Sequence, residues 1–189
     1  MSKFVLISGS PRSKGNTAFV LNEMANIIRE MGDEVQIFSL VGKNINSCKA
    51  CNACKSTGKC SIDDGMNEIA AVIKEAEGLV VGAPVYFGTA RGDMMNFLQR
   101  LGMLNLANQR FLDGKVGGPV AVARRGGHTA TIQEMLMFFF INGMVVPGAK
   151  YWNMGFGGGA GEVAQDEEGM ENFRLFAAKL SQLAAKLKK

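Results

Sequence analysis

The chain has 189 residues, 47% of them hydrophobic, with a formal charge of +4, four cysteines and one histidine. That length buries a proper core without cross-links, and no run of Lys and Arg interleaved with aromatics marks a nucleic-acid surface. No apolar run is long enough to span a bilayer. The four strongly apolar residues Phe4 to Ile7 are too few for a secretory leader, so a cytoplasmic location and no membrane partner are the expectation.

Taken in chain order, Lys3–Ser8 reads as a buried strand and Gly9–Asn16 as a turn-rich loop. Thr17–Met31 has helical apolar spacing and stops at Gly32. Glu34–Leu40 alternates as a second strand. A cysteine-rich loop follows, and Asp63 or Asp64 is placed to cap a helix over Met66–Glu77. Gly78–Pro84 is a short apolar strand, Gly92–Met103 a helix, Gly118–Arg124 a strand and Thr129–Phe140 a helix. Met144–Tyr151 holds a strand interrupted by Pro147. Gly155–Gly161 (GFGGGAG) reads as a mobile loop, either a lid or an interface element. Glu167–Lys186 closes the chain as an amphipathic helix, with Phe173, Phe176, Ala177, Leu180, Leu183, Ala184 and Leu187 on one face.

Strands alternating with helices imply a parallel sheet covered on both faces. Ligands of such folds sit outside the carboxyl ends of the strands, at the switch point. Four loops follow strands and are expected at that edge: Gly9–Asn16, the cysteine loop, Val85–Gly92 and Arg125–His128.

The first of these, SGSPRSKGNT, offers the hydroxyls of Ser8, Ser10, Ser13 and Thr17, the amide of Asn16 and the guanidinium of Arg12. It leads into a helix N-terminus, where exposed N–H groups and the dipole favour an anion. Lacking both GK[ST] and G-x-G-x-x-G, it is neither a Walker loop nor a dinucleotide fingerprint. Its many donors suit a terminal phosphate. The bland alternative is a capped turn with no ligand.

The motif GSPRSKGNT, together with the later APVYFGTARGDMMNFLQR, resembles the phosphate loop and second flavin loop of the flavodoxin-like FMN reductase superfamily, over essentially the whole chain. The resemblance implies a three-layer sandwich with a five-stranded parallel sheet in the order 2-1-3-4-5. It implies a single FMN-binding domain over 1–189, with a cysteine-rich insertion at about 46–64. FMN phosphate is then expected at Ser10, Arg12, Asn16 and Thr17, and the ring against Pro84, Val85, Tyr86 and Phe87. A third loop, Ala123, Arg124, Arg125, Gly126 and Gly127, falls where the family holds the ring's other polar edge. A flavin needs a flat apolar wall and backbone donors, which Gly88, Gly126 and Gly127 leave room for. Positive charge from one of the two arginines favours reduced flavin. Ordinary packing of Tyr86 and Phe87, and a solvated arginine pair, are the alternatives.

The cysteines Cys48, Cys51, Cys54 and Cys60 are spaced C-x2-C-x2-C-x5-C. A disulfide knot is disfavoured in a chain of this size and setting, which leaves zinc, redox-active thiols, an iron–sulfur cluster or unligated thiols. Three cysteines at successive x2 intervals are similar to the run that wraps a cubane in bacterial ferredoxins. The whole pattern resembles that of iron–sulfur flavoproteins, a branch of the same superfamily. That branch implies a [4Fe–4S] cluster beside FMN, held by these four residues. Gly65 departs from the branch's exit pattern.

No catalytic residue beyond the flavin is expected. His128 reads as a helix cap or solvent contact rather than a proton donor, and no Ser-His-Asp set stands out. The expected activity is a flavin-dependent electron-transfer oxidoreductase. It would draw electrons from ferredoxin through the cluster to FMN and on to a small acceptor. The alternatives are an NAD(P)H-dependent FMN or quinone reductase without a cluster, and a zinc-stabilised FMN-binding sensor. The all-round apolar Phe138–Ile141 fits a homodimer or homotetramer.

Overall fold

The structure, a computed structural model, describes residues 1–188. Its strands are β1 (Lys3–Ser8), β2 (Glu34–Ser39), β3 (Gly78–Tyr86), β4 (Thr89–Ala90), β5 (Val116–Ala123) and β6 (Met154–Phe156). Its helices are α1 (Asn16–Glu30), α2 (Ala53–Thr57), α3 (Met66–Glu75), α4 (Gly92–Ala107), α5 (His128–Ile141) and α6 (Glu167–Leu187), with a 3-10 turn over Glu162–Gln165.

The sheet runs β2-β1-β3-β5-β6, all parallel, and the two-residue β4 turns back antiparallel on β3. With β4 set aside, this is the expected 2-1-3-4-5 order of five strands. Alternation along each strand feeds two cores. Val5, Ile7, Leu79 and Val81 point into one with α3, α4 and α5. Phe4, Leu6 and Val80 point into the other with α1 and α6. A strand buried on both faces has to be a near-continuous apolar run, as the buried parts of β1, β3 and β5 are.

Several expected boundaries move. Met144–Tyr151 is not a strand. It contributes only an isolated bridge, Val116 to Val145, because Pro147 has no N–H for a ladder. The fifth strand is instead Met154–Phe156, overlapping the start of the glycine-rich stretch Gly155–Gly161 read as a mobile loop. Neither Asp63 nor Asp64 caps α3. Gly65 is the cap residue, at φ 83, and α3 ends at Glu75. On α6, Phe173, Phe176, Ala177, Leu180 and Ala184 are buried as expected, but Leu187 is exposed. Asp166 caps that helix, accepting from Gly169 N at 3.1 Å. No helix among the described residues is long and apolar enough to cross a membrane.

Candidate functional site

The loop after β1 is shaped by its own backbone. Gly9 N donates to Gly82 O across the sheet end at 2.8 Å, and Gly15 N to Arg12 O at 3.2 Å. Arg12 N donates to Ser10 Oγ at 3.1 Å, which pulls the loop into a tight turn. Gly15 opens α1 with no side-chain cap, so the first-turn N–H groups are left for another acceptor.

An open cleft of about 170 Å³ lies at this helix start, at the carboxyl edge of the sheet. Ser10, Arg12, Asn16 and Thr17 line one side. Pro84, Val85 and Tyr86 line a second, and Ala123 and Arg124 a third. Three loops that the sequence places far apart therefore meet in one place. The remaining expected residues stand off the cleft. Ser8 is buried with its hydroxyl unpartnered, and Ser13 is exposed. Phe87 and Gly88, at φ 52 and φ 88, form the two-residue turn between β3 and β4, with the Phe87 ring fully exposed at its tip. Both positive φ values define the turn favoured in tight hairpins, which costs an aromatic residue about 1–2 kcal/mol. Glu134 holds the hairpin down, accepting from Ala90 N at 3.2 Å and from Thr89 Oγ1.

Arg125, Gly126 and Gly127 likewise lie outside the lining, in the turn that leads to α5. Gly127 has φ +90, and a Cβ there would meet Val85 Cγ1 at 2.8 Å, so it lets the turn press against the hairpin. His128 is neither a side-chain cap nor in solvent. It is buried, shares a hydrogen bond with Gly155 O at 2.9 Å and rests on the Phe156 ring. Burial lowers its pKa below 6.5, partly offset by the Gly155 carbonyl.

Sequence reasoning missed the fourth wall, Gly157 and Gly158. This strap is tied down. Asn16 Nδ2 donates to Gly159 O at 2.8 Å, while Asn16 Oδ1 accepts from Val163 N at 3.4 Å. Glu162 accepts from Gly158 N and Gly159 N, at 2.9 and 2.7 Å, and these bonds hold its carboxyl below the usual range. A Cβ on Gly157 would lie 2.6 Å from Val163 N and 2.8 Å from Asn16 Nδ2, so the close approach requires glycine. Asn16, expected to bind phosphate, spends its amide on this brace. The available signal was the pairing of Gly157 with an amide side chain at a helix start, which no local pattern reveals.

The cysteines lie elsewhere. All four line a second, small cavity floored by Arg100, Met103 and Leu104 of α4, and it shares no residue with the cleft. The loop runs along α4: Asn96 donates to Ile45 O, Arg100 to Asn46 O and Asn108 to Gly58 O. From Asn96 to Asn108 that is about 18 Å of helix. The expectation that this loop emerges with the other three at the sheet edge is thus corrected. It begins there and folds back over α4. Cys48 and Cys51 are exposed, and Cys54 and Cys60 half-buried. Ser61 Oγ lies 3.2 Å from Cys51 Sγ and, with backbone N–H groups and Lys49, lowers that thiol's pKa. The thiols are free. Among the described residues no three His, Cys, Asp or Glu side chains are gathered closely enough to hold a metal ion.

Under the thiols sits Arg100, 1% exposed. It donates to Cys60 Sγ at 3.1 Å, Ile62 O at 3.2 Å and Asn46 O at 3.4 Å, and pairs with Asp64. Burial disfavours the Asp64 carboxylate, yet hydrogen bonds from Arg100 and Asn46 N hold its pKa below the usual range.

The fold is that of a flavodoxin-like α/β protein, with an open cleft at the sheet's carboxyl edge. A solved flavodoxin, WrbA-like protein from Agrobacterium tumefaciens superposes with a TM-score of 0.72 at 15% identity, covering 98% of this chain and 99% of that one. Residues 2–159 match the family model described as NADPH-dependent FMN reductase. An iron–sulfur flavoprotein of Methanocaldococcus jannaschii is 40% identical, over 99% of this chain and all of its own length. One from Archaeoglobus fulgidus is 35% identical over 96% of each. The chain belongs to the NADPH-dependent FMN reductase family and is a flavin-dependent oxidoreductase.

Proposed function

We propose that this protein is an iron–sulfur flavoprotein. It would bind FMN in the cleft and a [4Fe–4S] cluster in the cysteine loop, moving electrons from a donor such as ferredoxin to a small acceptor. The observation that carries the flavin assignment is the convergence of the β1 loop, the β3 hairpin and the β5 loop on one cleft. The residues fit the group: an uncapped helix start, the Ser10 and Thr17 hydroxyls and Arg12 suit a phosphate, and Pro84, Val85 and Tyr86 supply an apolar wall. Arg124 adds the positive charge that favours reduced flavin. Bound there, FMN supplies exchange of one or two electrons.

For the cluster, the support is the donor set. Four thiols line one cavity, and soft thiolates select iron–sulfur cores and zinc. Cys48, Cys51, Cys54 and Cys60 would hold it, and it would supply single-electron transfer. The relatives named iron–sulfur flavoproteins, matched over nearly their whole length, support the same reading. Because the two cavities share no residue, we place this chain in a homo-oligomer, with the exposed Met137, Phe140 and Ile141 of α5 as contact. A cytoplasmic setting, which keeps thiols reduced, suits the loop.

The test is to purify the protein anaerobically and assay flavin, iron and acid-labile sulfide per chain. Flavin with about four irons, bleached by reduced ferredoxin, is the expected result. Flavin without iron, bleached directly by NADPH, selects the second reading, an NAD(P)H-dependent FMN or quinone reductase. The family description favours that one.

A further inference from the structure

Arg100 is a charge in an apolar place. It projects from the middle of α4 into the cysteine loop packed over that helix and is almost wholly removed from water. Burying a guanidinium costs several kcal/mol, and pairing with one carboxylate often fails to recover it. A hydrophobic pair of similar volume would hold the loop against α4 at least as well. Arg100 is also incompletely satisfied: its Nε has no partner, nor has Asp64 Oδ1. What distinguishes the site is where the terminal nitrogens go. Nη1 reaches Asn46 O and Asp64, before and after the cysteine run, and Nη2 reaches Ile62 O and Cys60 Sγ itself. Cys60 is the cysteine set apart by the x5 spacing. Its backbone is fixed too, by a reciprocal pair with Asn67: Cys60 N donates to Oδ1 at 2.8 Å, and Nδ2 donates to Cys60 O at 2.9 Å. Among the described residues, no other cysteine in the loop has a charged side chain hydrogen-bonded to its sulfur.

We infer that Arg100 is a positioning residue for the fourth cluster ligand: it holds the Cys60 thiolate in place through Nη2 and raises the reduction potential of the cluster that the loop carries. This rests on the iron–sulfur reading above. Four thiolates around an iron–sulfur core leave net negative charge, which grows on reduction. A buried cation donating to one ligand sulfur therefore stabilises the reduced state more than the oxidised one. Hydrogen bonds to ligand sulfurs and their burial are the levers by which proteins set such potentials. The same negative charge accounts for a buried cation that Asp64 alone does not balance.

The experiment compares anaerobically purified wild type with Arg100→Lys, Arg100→Gln and the double variant Arg100→Met with Asp64→Leu. Iron and sulfide per chain, the thermal midpoint of the protein, and the cluster midpoint potential by spectroscopic titration are read for each. Arg100→Gln is expected to lower the reduced-to-oxidised ratio at fixed poise at least tenfold, which is about 59 mV for a one-electron couple. Arg100→Lys keeps the charge without the planar fork and is expected to fall between. The double variant removes both charges while keeping bulk, which separates a potential effect from a folding effect. A thermal midpoint like that of wild type with a lowered potential, or with iron lost, supports the inference. A loaded double variant or Arg100→Lys protein at wild-type potential overturns it, as does recovery of iron and potential whenever packing alone is restored. Wild-type protein with no iron or sulfide instead overturns the iron–sulfur reading, a result distinguishable from failure of this one.

Discussion

Two loops leave adjacent parallel strands of one sheet and are built in opposite ways. The loop after β1 is short and closed by backbone hydrogen bonds and one serine, so its shape is dictated locally and the main-chain donors of the helix it opens are left for a ligand. The loop after β2 is long and has little regular structure beyond α2. It includes two non-glycine residues in the left-handed region, Ala50 and Asn52. It is held from outside, by Asn96 and Arg100 of α4 and Asn108 just past its end. The first loop can bind without reorganising. The second depends on what it is packed against. A preorganised anion site needs only main-chain donors, whereas a thiolate site must also be charge-balanced, and a helix behind it supplies that.

The contrast is broken most severely at the thiols. Cys54→Ser is expected to lower bound iron at least about tenfold while FMN content is retained, because a ligand is lost that is worth more than an outer-shell partner. Metal analysis with flavin absorbance checks this, and parallel loss of flavin would show the two sites to be one. At the phosphate side, Arg12→Ala is expected to weaken FMN binding by about 1.5–3 kcal/mol, the worth of a charged hydrogen bond. It should leave riboflavin, which lacks the phosphate, unaffected in the same fluorescence titration.

Gly157→Ala tests whether the strap belongs to the rigid side of the comparison. Its new Cβ would meet Val163 N and Asn16, so a loss of about 1–3 kcal/mol in urea unfolding is expected, together with weaker FMN binding. An unchanged midpoint would show the strap to be loose. The smallest effect concerns His128. Burial favours its neutral form, so the unfolded chain takes up a proton first as the pH drops. The stability this residue contributes is complete above its unfolded value of 6.5 and is lost as the pH falls from there toward the lowered folded value. The wild-type melting midpoint is expected to decline across that window more steeply than that of His128→Gln.

Much of the site was legible in the sequence because it follows from strand ends. Apolar runs located β1, β3 and β5, and a parallel sheet has to bring the loops after them to one edge. Ser10, Arg12 and Thr17 stood out as donors at a helix start, the resemblance to FMN reductases added Pro84, Val85, Tyr86, Ala123 and Arg124, and all eight line the cleft. Less was legible where a residue's partner is remote. Asn16 looks like a free donor until the strap arrives from 143 residues away. Met144–Tyr151 has strand composition but is displaced by Met154–Phe156, which has better geometry beside Ala121–Ala123 and no proline. Arg100 sits in a helix pattern as an ordinary polar position, and nothing local marks it as buried.

The sequence by itself determined the class of fold, the donor types that the two loops offer and the spacing of the four thiols, because periodicity and residue type act within a few positions. Only the tertiary structure decided that the glycine-rich stretch is a tied strap, and that the cysteine loop lies back along α4 away from the cleft. It alone put a buried arginine beneath Cys60. Those outcomes depend on contacts between segments tens to more than a hundred residues apart, where packing and the need to satisfy buried charge outweigh local preference.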